Sequence, residues 1–302
     1  MVGDRKWRGL AGVALAAVGV VAAVGTPLAA GWAGGNAGAA PAKGPVDVLY
    51  AGSLVTVMQT SIGPAFTKAT GYTVTGISGG STGLAQEIKG GVHQADVFVS
   101  ASPSADQTLM GAANGNWVSW YLTFARSPLV LGYNPSSAFA KTLRTKPWYR
   151  VVTEPGFLLG RTNPVTDPKG VLTVDALKDT AGKVGDPTLA AVATKATTIF
   201  PETTLVGRLQ AGQLDAGFFY AVEASAAKIP TVPLKGVKEQ ATYTVTVVAK
   251  APHRAGASAF VAFMLSPKAK KLLKRDGVVE ISPPELTGPR AAVPKGLRKV
   301  VG

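Results

Sequence analysis

The sequence predicts an α/β protein, and two observations carry this prediction. From Pro45 onward, short apolar runs of strand type alternate with longer stretches of helical periodicity. Such alternation is typical of a parallel sheet that helices cover on both faces. The length of 302 residues suits two lobes of ordinary size, and 46% apolar residues are enough to build their cores.

The first part of the chain alternates short strands with helices. Gly71 is expected to end the first helix, because glycine accepts the left-handed conformation that follows a helix. Pro103 is expected to begin a helix at its first turn, where proline is tolerated. The predicted elements are strands over 46–50, 72–77 and 96–100, and helices over 54–69, over 82–89 and from Pro103.

The chain is predicted to cross into a second lobe within the β-prone run 121–133, which Arg126-Ser127-Pro128 should break. The alternating pattern over 242–248 is expected to bring it back. Lobe 1 then comprises 43–124 and 243–302, and lobe 2 comprises 125–242. The Pro-rich tail after Ser282 is expected to lie along the surface. Further strands are predicted over 157–160, 214–220 and 231–234, and helices over 170–181, 187–196, 202–212, 221–228, 253–265 and 267–275.

The composition excludes several kinds of site. The chain has no cysteine, which excludes disulfides, thiolate zinc sites, a thiol nucleophile and a lipid-modified N-terminal cysteine. The only histidines, His93 and His253, are too few for a multi-histidine metal site. The net charge of +14 would suit a nucleic-acid partner, but the basic residues are scattered and form no recognised motif. We therefore expect no nucleic-acid binding.

Residues 1–42 read as an export signal. Arg5, Lys6 and Arg8 form a positive region, and an uninterrupted apolar run follows over 10–25. The segment is predicted to be either a cleaved signal peptide or an uncleaved N-terminal anchor, since the run approaches the length of a membrane span. In both cases the remaining chain is exported. Small-residue cleavage sites lie near Ala30, Ala33 and Ala39.

Three short segments, 51–54, 79–83 and 162–170, lie where helices are predicted to begin. A helix start presents unpaired N–H groups and partial positive charge, so it suits a small anion. Ser53 and Ser81 are the candidate hydroxyl donors. Ser53 could equally be only a helix N-cap, and Ser78 remains an alternative to Ser81.

Two acids accompany these segments. Asp167 precedes Pro168, a pair that also fits a simple helix start. Glu223 follows the strand-like run 214–220 and could be an ordinary solvated charge on a helix. Both carboxylates would repel an ordinary anion, which makes their pairing informative about the ligand.

Four segments in this order resemble the solute-binding proteins of molybdate and tungstate importers. They are Asp47-Val48-Leu49-Tyr50-Ala51-Gly52-Ser53-Leu54, Gln94-Ala95-Asp96-Val97-Phe98-Val99-Ser100-Ala101, Gly160-Arg161-Thr162-Asn163-Pro164-Val165-Thr166-Asp167-Pro168 and Leu214-Asp215-Ala216-Gly217-Phe218-Phe219-Tyr220. The third is similar to the motif of the tungstate/molybdate-binding subgroup best known from archaea. The resemblance runs from about residue 45 to about residue 274.

This resemblance implies a two-lobed type II periplasmic-binding-protein fold, with mixed sheets flanked by helices and the ligand in a cleft between the lobes. It implies delivery of the anion to an ABC permease in the membrane. Ser53 and Ser81 match hydroxyl and amide donors, and Ala125 matches a backbone N–H donor. Asp167 and Glu223 match two carboxylates that complete a six-coordinate metal centre. Lys169, beside Asp167, is an unexpected charge that would partly neutralise the acid.

The expected ligand is molybdate or tungstate. Their metal centres accept further oxygen donors, whereas the tetrahedral centres of sulfate and phosphate do not. We expect a monomeric binding protein without a cofactor, exported to the periplasmic or extracellular face of the membrane or anchored there by its N-terminus. A sulfate or phosphate binder is the nearest alternative, and a ferric site is disfavoured because it would need several tyrosines.

The alternatives from other classes are an exported serine hydrolase and a ligand-sensing partner of a membrane receptor. A hydrolase would need a general base beside Ser53 or Ser81. The scarcity of histidine disfavours it, so we expect no enzymatic activity.

Overall fold

The computed structural model describes residues 43–301 and shows a mixed α/β fold with one ten-stranded sheet flanked by helices. The predicted signal peptide or anchor over 1–42 lies outside the described residues. The strands are β1 (Pro45–Ala51), β2 (Thr73–Gly79), β3 (Val97–Ser100), β4 (Tyr121–Tyr133), β5 (Leu159–Thr162), β6 (Ile199–Phe200), β7 (Ala216–Tyr220), β8 (Thr231–Pro233), β9 (Gln240–Val247) and β10 (Val279–Thr287).

Most helices begin and end near the predicted residues. The first helical segment starts with a 3-10 turn over Gly52–Leu54, contains a π-helical turn over Met58–Ile62 and ends before Gly71, whose φ of 79° confirms its predicted role. The α-helices are α1 (Val55–Val57), α2 (Gly63–Thr70), α3 (Ser81–Lys89), α4 (Pro103–Gln107), α5 (Ala140–Thr145), α6 (Trp148–Val151), α7 (Pro168–Val184), α8 (Pro187–Val192), α9 (Glu202–Gln210), α10 (Ala221–Ala226), α11 (Arg254–Met264) and α12 (Pro267–Arg275).

The sheet has two halves that share β4. The strand order is β2-β1-β3-β9-β4-β7-β5-β6, and β8 and β10 also pair with β4. We call β2, β1, β3 and β9, with the helices that follow them, the first half, and β7, β5 and β6, with the helices that follow them, the second half. Within each half the βαβ crossovers give parallel pairs, such as β1 with β2 and β5 with β7, whereas β9 and β4 run antiparallel to their neighbours.

Strand β4 is continuous, so the predicted break at Arg126-Ser127-Pro128 is wrong. Pro128 has no N–H to donate, but it lies where the strand changes neighbours. Residues up to Pro128 pair with β9, and residues from Leu129 onward pair with β7. The missing N–H of Pro128 is tolerated at this point, because neither the β4–β9 pairing nor the β4–β7 pairing depends on it.

The tail after Ser282 is mostly exposed at the surface, as predicted, but it also contains regular structure that the sequence did not predict. Its first part belongs to β10, which runs antiparallel to β4 and pairs Leu286 with Leu122. The Pro-rich sequence hid this strand, because proline is rare within sheets. A register shift between Glu280 and Glu285 places the Ser282-Pro283-Pro284 run in an irregular stretch of the strand.

The predicted lobe boundaries fall inside the two strands at the centre of the sheet. Ala125 of β4 and Tyr243 of β9 face each other across the ladder, so both boundaries lie at one level of the sheet. The lobe assignment itself stays a prediction. The described residues form one compact unit, and none of the helices within 43–301 is long and apolar enough to cross a membrane.

Candidate oxyanion site

Ser53 lies in the 3-10 turn that directly follows β1. The side chain is buried, and its Oγ lies 2.9 Å from Oη of Tyr243 on β9. Either hydroxyl can donate in this pair, so one proton remains available to a third group. Strand β1 ends at Ala51 and the helical segment begins at once, which presents the N–H groups of a helix start at the same place.

Ser81 is the first residue of α3 and is 1% exposed. Its Oγ accepts a hydrogen bond of 2.9 Å from the N–H of Ala101, which leaves the hydroxyl proton free to donate. Ser78 lies on β2 opposite Tyr50, and its hydroxyl contacts that phenol. Which of Ser78 and Ser81 is the donor stays a prediction. The burial of Ser81 at a helix start favours Ser81.

Ala125 lies beside a bulge in β4. Thr123 pairs with Thr244 and Ala125 pairs with Tyr243, so Phe124 is an extra residue with no direct partner in β9. Bulges leave backbone groups outside the ladder and often re-aim them next to functional sites. The predicted backbone donor therefore lies next to the Tyr243–Ser53 pair.

Asp167 caps α7, as the pattern Asp-Pro predicts. Its Oδ1 accepts a 3.0 Å hydrogen bond from the N–H of Lys169, while its buried Oδ2 has no hydrogen-bond partner of normal geometry among residues 43–301. The loop before it contacts α3 of the first half, since the N–H of Gly83 donates to the carbonyl of Thr166 at 2.9 Å. Asp167 thus serves as a cap and still keeps one oxygen for another partner.

Glu223 lies in the first turn of α10 and is 3% exposed, so it is not the solvated helix charge of the alternative interpretation. Its Oε2 accepts from the Nζ of Lys169 at 2.7 Å and, more weakly, from the N–H of Tyr220 at 3.4 Å. This carboxylate therefore already holds a cation.

The side chain of Lys169 is fully buried among acids. Besides Glu223, its Nζ contacts Oε1 of Glu202 at 3.0 Å. Burial alone would lower the pKa of Lys169, but the carboxylates of Glu202, Glu223 and Asp167 together raise it well above its usual value. The ammonium group is therefore a permanent part of the site.

Glu202, at the start of α9, is a site residue that the sequence did not single out. A methyl group added at Gly52 would lie 1.9 Å from Oε2 of Glu202, so this carboxylate packs directly on the backbone of the Ser53 turn. A residue with a Cβ would displace this carboxylate from its place beside Lys169. Glu202 lies outside all four motifs, and an acid in the first turn of a helix is too common to indicate a site.

Burial changes the acidity of the site's carboxyl groups. It raises the pKa of Asp167 to about 6, and the neighbouring Glu202 adds to the rise while Lys169 opposes it. Burial and the neighbouring Glu202 also raise the pKa of Glu223, and the ammonium of Lys169 opposes this rise. Three carboxyl groups thus share one ammonium in a region with little water.

Two tyrosines line the site. Tyr220 and Tyr243 are fully buried, and their rings meet edge to face with centroids 6.3 Å apart. Oη of Tyr220 makes no hydrogen bond to any residue of the described part of the chain. Burial raises the pKa of both phenols well above the usual value, so both keep their protons and act as donors.

Outside this site, Asp47, Asp96 and His253 bring three potential metal-ligand atoms within 4.8 Å of one another. Asp96 is already satisfied, since it accepts from the N–H groups of Asp47 and His253 and lies 2.8 Å from Nδ1 of His253. This cluster ties the start of α11 to the sheet, which is a structural role.

Comparison with known sequences identifies a family. The sequence profile described as bacterial extracellular solute-binding protein matches residues 46–279. A relative from Haloferax volcanii, named as an ABC transporter molybdenum-binding protein, is 32% identical over 68% of this chain, and the match spans only 63% of the relative's own length. The molybdate/tungstate-binding protein WtpA of Pyrococcus abyssi is 24% identical, over 61% of this chain and 69% of its own.

Comparison with solved structures concerns the fold. The periplasmic molybdate-binding protein of Azotobacter vinelandii superimposes with a TM-score of 0.62 at 22% identity, over 78% of this chain and 98% of its own. The predicted periplasmic-binding-protein fold, a mixed sheet flanked by helices, is thereby confirmed.

Proposed function

The chain belongs to the family of bacterial extracellular solute-binding proteins, and we propose that it captures molybdate or tungstate and delivers the anion to the permease of an ABC importer. The family is one of transport proteins that act outside the cytoplasm. Cleavage of residues 1–42 would release the protein, and retention of this segment would anchor it at the periplasmic or extracellular face of the cell membrane.

The observation that carries the proposal is the pairing of neutral donors with a free carboxylate oxygen. The hydroxyls of Ser53, Ser81 and Tyr220 can hold the oxo groups of a tetrahedral anion, together with N–H groups at the helix starts. Oδ2 of Asp167 would face the same ligand. A metal centre can take up such an oxygen, whereas the centre of sulfate or phosphate gains only repulsion from it.

The relatives support the ligand class. Two of them carry names that assign them molybdenum or molybdate/tungstate binding. Asp167, in a motif that resembles the tungstate/molybdate subgroup, is the residue that we propose to distinguish these ligands from sulfate, and Glu223 belongs to its charged surroundings.

A ferric site remains the alternative that the structure makes worth testing, because Tyr243 joins Tyr220. Iron would bind phenolates, and a ferric ion would have to offset the burial that raises the pKa of both tyrosines. We therefore keep iron as a competitor in the experiment and not as the proposed ligand.

Calorimetric titration of the protein, stripped of ligand, with tungstate, molybdate, sulfate, phosphate and ferric citrate tests the proposal. We expect one-to-one binding of tungstate and molybdate, and no comparable response to the other three. Preference for sulfate or phosphate would contradict the role of the carboxylates, and a response to iron alone would contradict the ligand class.

The double variant Asp167→Ala with Glu223→Ala tests the site. We expect it to lose tungstate binding, and retention of full affinity would remove both residues from the proposal. Asp186→Asn is the matched control, because Asp186 also precedes a proline and caps a helix, α8, through the N–H of Thr188. It should bind like the parent protein.

The proposed transport mechanism needs closure of the predicted lobes around the anion. A ligand shifts such an equilibrium only by its differential affinity for the two forms. Contacts such as Gly83 to Thr166 between the two halves of the sheet would form on closure, and their formation would create the surface that a permease recognises.

A further inference from the structure

On the basis of the proposed function, we infer that a single carboxylate oxygen, Oδ2 of Asp167, binds the metal of the captured oxyanion, and that Lys169 withholds Glu223 from it. The bound metal then becomes five-coordinate, with four oxo groups and one protein ligand. This differs from the six-coordinate centre that the family resemblance implies. Lys169 is thereby the residue that determines the coordination number.

Asp167 is arranged as a metal ligand. Its Oδ1 is fixed by a neutral donor, the backbone N–H of Lys169 at 3.0 Å, which orients the group without neutralising its charge. Its Oδ2 is buried and, within the described part of the chain, makes no hydrogen bond of normal geometry; the hydroxyl of Thr162 is a neutral neighbour of the same carboxyl group. A ligating carboxylate is commonly held in this way, with one oxygen oriented by a hydrogen bond and the other turned to the metal.

Glu223 is arranged as a counter-ion. A full positive charge lies 2.7 Å from its Oε2, and the N–H of Tyr220 approaches the same oxygen at 3.4 Å. The ammonium draws electron density from the carboxylate and makes it a weaker donor to a metal than Asp167. Both partners are buried, so no water can replace either one.

Lys169 cannot release Glu223 at low cost. Its remaining short contact is Glu202, at 3.0 Å, and that carboxylate is packed against Gly52 and cannot approach further on that side. Leaving a buried charge without a partner is among the more costly changes in a protein interior. The pair therefore persists when the oxyanion binds.

The chemistry requires no bond to break. The anion keeps its four oxygens, and one lone pair of Oδ2 forms the additional bond to the metal, which is a hard acceptor of oxygen donors. Ser53, Ser81 and the tyrosine hydroxyls donate hydrogen bonds to the oxo groups, and these compensate the charge that the carboxylate adds.

X-ray absorption at the tungsten edge of the protein loaded with tungstate tests the inference. We expect the spectrum of a five-coordinate metal with one additional oxygen from the protein. A tetrahedral spectrum, equal to that of free tungstate, or a six-coordinate one would overturn the inference while leaving the proposed function intact. Absence of tungstate binding in calorimetry would overturn the proposed function itself.

Two variants assign the ligand. Asp167→Asn should return the bound tungstate to a four-coordinate spectrum, whereas Glu223→Gln should leave it five-coordinate, since Glu202 still holds the ammonium. Asp186→Asn is the control and should match the parent spectrum. A coordination number that falls in Glu223→Gln and not in Asp167→Asn would show that the assignment is reversed.

Discussion

The two halves of the sheet contribute opposite kinds of chemistry to the site. The first half supplies neutral groups, the hydroxyls of Ser53 and Ser81, each tied to one neighbour by a hydrogen bond of 2.9 Å. The second half supplies charges, with Lys169 lying between Glu202 and Glu223. The neutral side could serve any tetrahedral oxyanion, so discrimination between anions has to come from the charged side.

The largest effect should follow when the ammonium group of Lys169 is removed from the second half. Lys169→Met leaves Glu202 and Glu223 buried without a counter-ion, and we expect the free energy of unfolding at pH 8 to fall by about 3–5 kcal/mol. Urea denaturation measures it. Lys146→Met is the control, because Lys146 pairs with Glu154 at 3.7 Å on the surface, and such pairs contribute less than about 1 kcal/mol. Equal losses in both variants would mean that the buried ion pairs of Lys169 stabilise the fold no more than the surface pair of Lys146 does.

The next effect concerns a buried acid of the first half that has no cation beside it. Burial raises the pKa of Asp106 to about 7, although Thr244 donates to its Oδ2 at 2.5 Å. The folded protein then binds a proton that the unfolded chain releases above pH 4, so stability is full below about pH 4 and falls as the pH rises through 7. The loss is at most about 4 kcal/mol.

Asp106→Asn should remove this pH dependence, because the amide keeps the shape and can still accept from Thr244. We expect the variant to match the parent at pH 4 and to melt at a higher temperature at pH 8. The exposed Asp175→Asn is the control and should follow the parent curve. An unchanged pH profile in Asp106→Asn would contradict the assignment.

The approach of the two halves can be tested with two neighbouring glycines. In Gly80→Ala the new Cβ would lie 2.3 Å from the carbonyl oxygen of Thr166, a backbone atom that cannot simply rotate away. In Gly83→Ala the same atom would be 3.6 Å away, an ordinary contact. Overpacking costs about 1–3 kcal/mol, so we expect Gly80→Ala to weaken tungstate binding roughly ten- to a hundredfold.

Gly83→Ala should bind tungstate like the parent protein in the same titration. If the two alanine variants bind equally well, the contact between the Thr166 loop and α3 does not belong to the binding-competent form.

The smallest effect should come from the neutral side. Ser53→Ala removes one hydrogen bond to a charged oxo group, worth about 1.5 kcal/mol at the lower end because the hydroxyl of Tyr243 stays beside it, so tungstate affinity should fall about tenfold. Ser102→Ala is the control, because Ser102 caps α4 through the N–H of Ser104. It should lower thermal stability and leave the affinity unchanged. A loss larger than that of the Asp167→Ala, Glu223→Ala double variant would reverse the ranking of the two sides.

The sequence predicts most of the architecture because periodicity and turn residues act locally. Gly71, Pro103 and the Asp167-Pro168 pair lie at helix ends as expected. The errors have a common cause in proline. Pro128 does not break β4, and the prolines after Ser282 do not exclude β10, because both lie where the ladders change partner or register.

The site is only partly predictable for a different reason. Motifs locate Ser53, Ser81, Asp167 and Glu223, but contacts between distant segments are not encoded in any short pattern. Tyr243 is identified by its hydrogen bond to Ser53, and Glu202 by its ion pair with Lys169 and its contact with Gly52.

That last contact has an evolutionary consequence. Gly52 and Glu202 are 150 positions apart in the chain, yet a side chain at position 52 and a carboxylate at position 202 cannot occupy the same space. Selection should therefore act on the two positions jointly: lineages that acquire alanine or serine at the first should have shortened the second. Glycine at position 52 would then be expected in those relatives that keep a long acidic side chain at position 202.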